Sequence, residues 1–524
     1  MVLLPVGAGL LATVLPAFGY WPAIGETVVS LAPWRVLATW PGVGRAALLT
    51  LWTGVAATLL ASGTAVLMGF GCTRPGFLGW ARRLLPAALA TPHAALAIGL
   101  AFLVAPSGWL VRLVSPWLTG WQVPPDLVIV GDPWGLALIA GLWLKEAPFL
   151  LLMLLAALGQ AAPEARMRVA SALGYGPARG WALAVLPGAW RQMRLPVLAV
   201  LAFACSGVEV ALVLGPTEPP TLAVLGLRLV TDADFRLWAV GSAAGVMLCG
   251  VMGVAVCVVW GVERGVGGVG RVVLRRGWRG GDGGSMTAIA AGVGSGLALV
   301  VAAALLALVV WSLAGSWRFP AGLPGAWSVA AWTGQGMVRP ALTTLWLGVL
   351  SAGLAVGLAV VWLEGGRGGV AAVYVPLLVP QAGFLFGLQN VLTVLRLDGS
   401  LVGVVWAQLV YTLPYAMLAL ADPWRALDAR YARAAVGLGA GRWRVLWRVV
   451  LPLLRRPLLA AAAVAFAVSA GLYLPTLFAG AGRWDTLTLE AIALASGVDR
   501  RVLGAMTVLQ AALPMAVFAL AVRR

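Results

Sequence analysis

Twelve stretches of mostly apolar residues divide this 524-residue chain, near 3–20, 46–70, 84–104, 134–158, 195–214, 237–260, 287–313, 341–363, 371–393, 402–420, 457–478 and 502–522. About twenty apolar residues in a helix cross the hydrocarbon core of a bilayer. In lipid every backbone N–H and C=O has to be bonded internally, which leaves helices and closed barrels. A barrel would show alternating segments of about ten residues, whereas these runs are longer and continuous. Charged residues make up only 10% of the chain and hydrophobic residues 61%, which excludes an ordinary soluble domain. The sequence therefore predicts an all-α integral membrane protein of about twelve transmembrane helices.

Charge sets the expected orientation. The net charge of +18 comes from arginines in short loops between the apolar runs. One loop holds Arg74, Arg82 and Arg83. Another holds Arg166, Arg168, Arg179, Arg191 and Arg194, and a third runs from Arg425 through Arg433 to Arg456. Arg523 and Arg524 follow the last run. Basic residues stay on the cytoplasmic side, so six spans per half place all these loops and both termini in the cytoplasm. Membrane topology explains the basic charge, and nucleic acid is not called for. Residues 263–286, rich in Gly and Arg, read as a flexible cytoplasmic linker between a first unit, 1–262, and a second, 287–524. Gly265 to Gly270 fits a Gly-x-Gly-x-x-Gly pattern, but no strand precedes it, so it is not read as a dinucleotide site. The four cysteines, Cys72, Cys205, Cys249 and Cys257, lack metal-ligand spacing, and no metal site is expected. The tryptophans are expected at the membrane interfaces.

The two halves repeat. Arg168-Val169-Ala170-Ser171-Ala172-Leu173-Gly174 is followed, thirteen residues after the glycine, by Pro187, with Leu186 before it. Arg433-Ala434-Ala435-Val436-Gly437-Leu438-Gly439 is followed at the same distance by Leu451-Pro452. Ala47 to Gly54 parallels Ala341 to Gly348, and Pro148 parallels Pro414. An even number of spans per half makes this a parallel repeat about an axis along the membrane normal. Each repeated loop predicts a short helix, a glycine stop and a second helix. Its apolar tip and basic flank suit docking on a partner protein.

At these residues the chain resembles the permease subunits of type I ABC importers, whose cytoplasmic EAA loop carries Glu-Ala-Ala, then Gly, then Leu-Pro at this spacing. The resemblance covers both halves and is that of a fused, two-unit permease, similar to those for thiamine and ferric iron. It implies a bacterial inner-membrane protein that takes substrate from a periplasmic binding protein. It also implies an ABC ATPase, in two copies for two loops, docked at Arg168, Ala170, Leu173, Gly174, Leu186, Pro187, Arg433, Ala434, Ala435, Leu438, Gly439, Leu451 and Pro452. Arg168 and Arg433 stand where the family has glutamate. No Gly-x-x-x-x-Gly-Lys-Ser/Thr run occurs, so ATP and Mg are expected on the partner, with no cofactor or catalytic residue in this chain. The implied cargo is thiamine, a related small cation, or ferric iron.

Polar residues inside spans are costly and usually face a cavity or a partner. Glu209 reads as a counter-charge for a cationic substrate or as the partner of an arginine. Tyr473 holds the matching stretch of the second half. His93 and Gln381, each after a proline in the third span, line the path or bond between helices. Lys145 and Glu146 read as a structural pair or as snorkelling ends. A different class fits the same span count: a twelve-helix secondary transporter coupled to an ion gradient through such intramembrane acids. It leaves the matched loops unexplained.

Overall fold

The computed structural model describes residues 3–281, 283–334, 336–366, 371–497 and 499–523; Arg524 lies outside them. They form helices, with only two isolated β-bridges and no strand among the described residues. In the first half these include α1 (Leu3–Ala17), α2 (Val43–Gly71), α3 (Pro75–Ala90), α4 (His93–Val104), α5 (Leu136–Gln160), α6 (Pro163–Ala172), α7 (Leu186–Ser206), α8 (Val208–Leu214), α9 (Leu222–Val230) and α10 (Phe235–Arg275). In the second half they are α11 (Gly283–Ser312), α12 (Val338–Gly365), α13 (Ala371–Leu378), α14 (Gln381–Val394), α15 (Leu401–Ala426), α16 (Ala429–Gly437), α17 (Arg455–Gly471), α18 (Leu474–Gly480), α19 (Leu487–Ala495) and α20 (Arg500–Arg523). Among the described residues, eight helices are long and apolar enough to cross a membrane, and three bent pairs raise the total to 11. Together with the shorter apolar α1, this is the expected all-helical membrane architecture.

The third and fifth spans are not single helices. Thr91-Pro92 separates α3 from α4, and Pro380 separates α13 from α14 with a bend of 107°. The residue before a proline is pushed out of the helical region, and Thr91 is extended. In the fifth span the chain bends by 52° at Gly207, between α7 and α8. The sixth span corrects the sequence reading. Residues 263–275, expected as flexible linker, continue α10 as helix. A glycine costs a helix only about 1 kcal/mol, and extending a formed helix needs no new nucleus. The non-helical connection shrinks to the residues after Arg275.

The halves interlock through their first helices. Packed against α14 of the second half is α1, while α11 packs against α4 of the first. Gly99 and Gly387 hold the same place in the two halves, each six residues after the start of its helix. A Cβ on Gly99 would run into the Ala304 carbonyl, and one on Gly387 into the α1 backbone at Gly9 and Thr13. The Gly387 N–H also donates to Thr13 Oγ1 at 2.9 Å. Small residues at such crossings let membrane helices pack where no hydrophobic force pulls them together.

The 47–54 and 341–348 repeat is structural. Thr50 Oγ1 accepts the Leu222 N–H at 2.8 Å, and Thr344 Oγ1 accepts the Leu487 N–H at 2.9 Å. Each bond satisfies a free amide in the first turn of α9 or α19. Gly54 meets Cys205 where α2 crosses α7, and Gly348 meets Phe466 where α12 crosses α17.

Candidate docking loops and cavity

Both repeated loops fold alike. Gly174 and Gly439 take left-handed conformations, with φ of 80° and 82°. The Gly174 N–H donates to the Ser171 carbonyl at 2.9 Å and the Tyr175 N–H to Ala170 at 3.0 Å. Gly439 donates to Val436 at 2.9 Å and Ala440 to Ala435 at 3.0 Å. This pair of bonds is the Schellman closure of a helix, and it needs a residue free of the Cβ penalty at the left-handed position. Beyond each glycine lie a short helix and one π-helical turn, Trp181–Val185 or Leu446–Val450. Leu186-Pro187 and Leu451-Pro452 open the next helical segment, where proline's missing N–H costs little. The matched π-helical turns were not foreseen from sequence; the prolines just downstream, with no N–H to return to an earlier carbonyl, are the signal that pointed there.

The exposed face is apolar with basic flanks. Val169 and Leu173 are uncovered on the first loop, and Val436 and Leu438 on the second, Leu438 at 90%. Ala170 is buried beneath its loop and Ala435 partly so, while Ala434 is exposed. Arg168 and Arg433 are exposed and form no ion pair among the described residues. The loops differ in their support. The connection after α10 crosses the first loop, where the Gly176 N–H donates to the Arg279 carbonyl at 3.0 Å. On the second, Gly439 and Gly441 face open space.

The polar residues singled out in the spans, His93, Lys145, Glu146, Glu209, Gln381 and Tyr473, line one cavity of about 680 Å³ between the halves. Four of them stand at helix breaks. His93 and Gln381 begin α4 and α14, Glu209 lies in the first turn of α8, and Tyr473 precedes α18. Broken helices bring polar atoms to membrane depth, which is tolerated where they line a cavity. Glu209 is 5% exposed, and its Oε2 has no hydrogen-bond partner among the described residues.

Lys145 and Glu146 do not pair with each other. Lys145 Nζ donates to the Ala88 and Leu89 carbonyls, both at 3.0 Å. These belong to the last turn of α3, whose carbonyls lost their donors when the helix broke. Glu146 lies 2.8 Å from His93 Nε2. Both side chains are buried rather than snorkelling to an interface. Lys145 and Glu146 balance in charge, and Glu209 forms no ion pair among the described residues. Tyr411 and Tyr415 complete the second-half wall. They were missed in the sequence, though each lies within three residues of the repeated Pro414 on the same helix.

Residues 369–524 match the family described as binding-protein-dependent transport system inner membrane component. The chain is 31% identical over 503 residues to the inner membrane ABC transporter permease protein YnjC of Escherichia coli, covering 94% of this chain and 90% of that one. The chain belongs to the ABC transporter permease family. The molybdenum transport system permease protein ModB of Mycobacterium tuberculosis shares 41% identity over 91 residues, 17% of this chain and 34% of its own. An ABC transporter permease protein, ORF1 of Streptomyces antibioticus, shares 45% over 76 residues. This permease is thus a multi-pass inner-membrane transport component, of a family that works with an ATPase and a substrate-binding protein. Membership sets aside the secondary-transporter alternative.

Proposed function

We propose that the permease is the membrane part of an importer, passing a small cation from a periplasmic binding protein through the shared cavity to the cytoplasm. Two ATPase copies dock on the loops at Gly174 and Gly439, on the cytoplasmic side with both termini, and bind the ATP and Mg. The two units are residues 1–262 and 287–524. The observation that carries the reading is the matched pair of glycine-closed loops, one per half, at the same end of the bundle. Two equivalent docks let one motor dimer drive both halves of one path. Arg168 and Arg433 replace the family glutamate and favour an acidic patch on the ATPase.

The cargo follows from Glu209. Burying a lone carboxylate is costly unless it is paired, and a cation in the cavity supplies the pair. An oxyanion such as molybdate meets the wrong charge. Thiamine and ferric iron are the two cargoes to compare. Uptake of each, and of molybdate, is measured in cells carrying the wild type or Glu209→Gln. Cation uptake reduced at least tenfold by the substitution, about 1.4 kcal/mol of lost interaction, is the expected result. Molybdate uptake that is indifferent to Glu209 overturns the cargo.

A further inference from the structure

At the end of the bundle opposite the docking loops, two arginines share one serine with no acid between them. Arg112 Nε donates to the Ser107 carbonyl at 3.0 Å. Arg500 donates to the same carbonyl at 3.4 Å and to Ser107 Oγ at 2.9 Å. The Trp311 ring lies within 5.4 Å of the Arg112 guanidinium and 5.2 Å of the Arg500 guanidinium. Trp317 and Phe319 face Arg112, and Phe102 faces Arg500. Arg112 is 5% exposed. Neither arginine has an ion pair among the described residues; the neighbouring Asp499 is taken by Arg501 at 3.0 Å. Two donors here are buried and unused, Arg112 Nη1 and the Trp311 indole N–H.

Like charges held together in a desolvated aromatic box repel, and unpaired buried donors cost free energy. Cation–π contacts offset part of that cost but accept no hydrogen bond. The cluster has donors in excess and lacks an acceptor carrying negative charge. We propose that a small inorganic anion of the halide class binds between Arg112 and Arg500. The burial of Arg112 shuts out a protein side chain, so the missing acceptor has to be a small ion. The ion ties the short helix Trp109–Val114 that follows α4, the loop after α11 and the start of α20 into one unit, so it clamps the two halves together at this end. Trp109 Nε1, which donates to the Gly322 carbonyl at 3.0 Å, fixes the same loop.

The test is thermal unfolding of the purified full chain in sodium chloride, bromide and gluconate at matched ionic strength. A saturable rise of the midpoint in halide is expected, on the order of 5 °C at a hundredfold excess over the dissociation constant. Arg500→Gln removes the rise, while Arg501→Gln keeps it. Equal midpoints in all three salts, or an Arg500→Gln protein that responds as the wild type does, overturns the site.

Discussion

Single residues carry the strongest constraints in this permease. At Gly439 the backbone is left-handed, and a Cβ there costs about 1–2 kcal/mol. Gly439→Ala is therefore expected to weaken ATPase retention on purified permease by about tenfold. Gly437→Ala, at a helical position with open space around it, leaves retention unchanged, and equal retention by both variants contradicts the account. Lys145 serves α3 and balances Glu146. Lys145→Met leaves the Ala88 and Leu89 carbonyls without their donor, a cost of about 1–3 kcal/mol for buried acceptors left unsatisfied. A lowered unfolding midpoint checks this. Loop residues such as Gly174 and Leu186-Pro187 were legible because the local sequence alone sets a helix stop and start. The partners of Lys145 and Glu146 were not. Adjacency in sequence suggested a pair, but neighbours on a helix point about 100° apart, and each meets a different element.

At the scale of elements, the spans could be read because bilayer thickness fixes their length. Their breaks were harder to see. Pro92 and Pro380 mark the broken third spans, yet the hydropathy of 84–104 and 371–393 runs through both. The glycines at 265–270 misled in the opposite direction, because composition suggested a linker where α10 simply continues. Packing of α1 on α14 and of α11 on α4 depends on contacts far apart in sequence, 374 residues for Thr13 and Gly387, and no local pattern encodes it. Gly387→Val places side-chain atoms against the α1 backbone and is expected to cost at least about 1–3 kcal/mol. Gly353→Val, which points into open space on α12, is expected to be neutral or stabilising. Thermal unfolding of the two variants in the same detergent compares them, and a Gly387→Val midpoint equal to wild type contradicts the interlocked packing.

For the whole molecule, the repeat gives two matching loops and one unequal cavity. The loops match in glycine conformation, hydrogen bonds and π-helical turns. The cavity puts His93, Lys145, Glu146 and Glu209 on the first half and Gln381, Tyr411, Tyr415 and Tyr473 on the second. On the proposed function, a fused chain lets the halves diverge where they touch cargo while both docking loops stay matched. The central claim is that the two glycine-closed loops hold the ATPase. Its most direct test is a pull-down of the tagged permease from mild detergent, as wild type and as the double variant Gly174→Pro, Gly439→Pro. Proline fixes φ near −65°, which neither turn accepts. An ABC ATPase that comes down with the wild type and is lost from a folded double variant is the predicted result. Full retention by the double variant, or no ATPase with the wild type, contradicts the account.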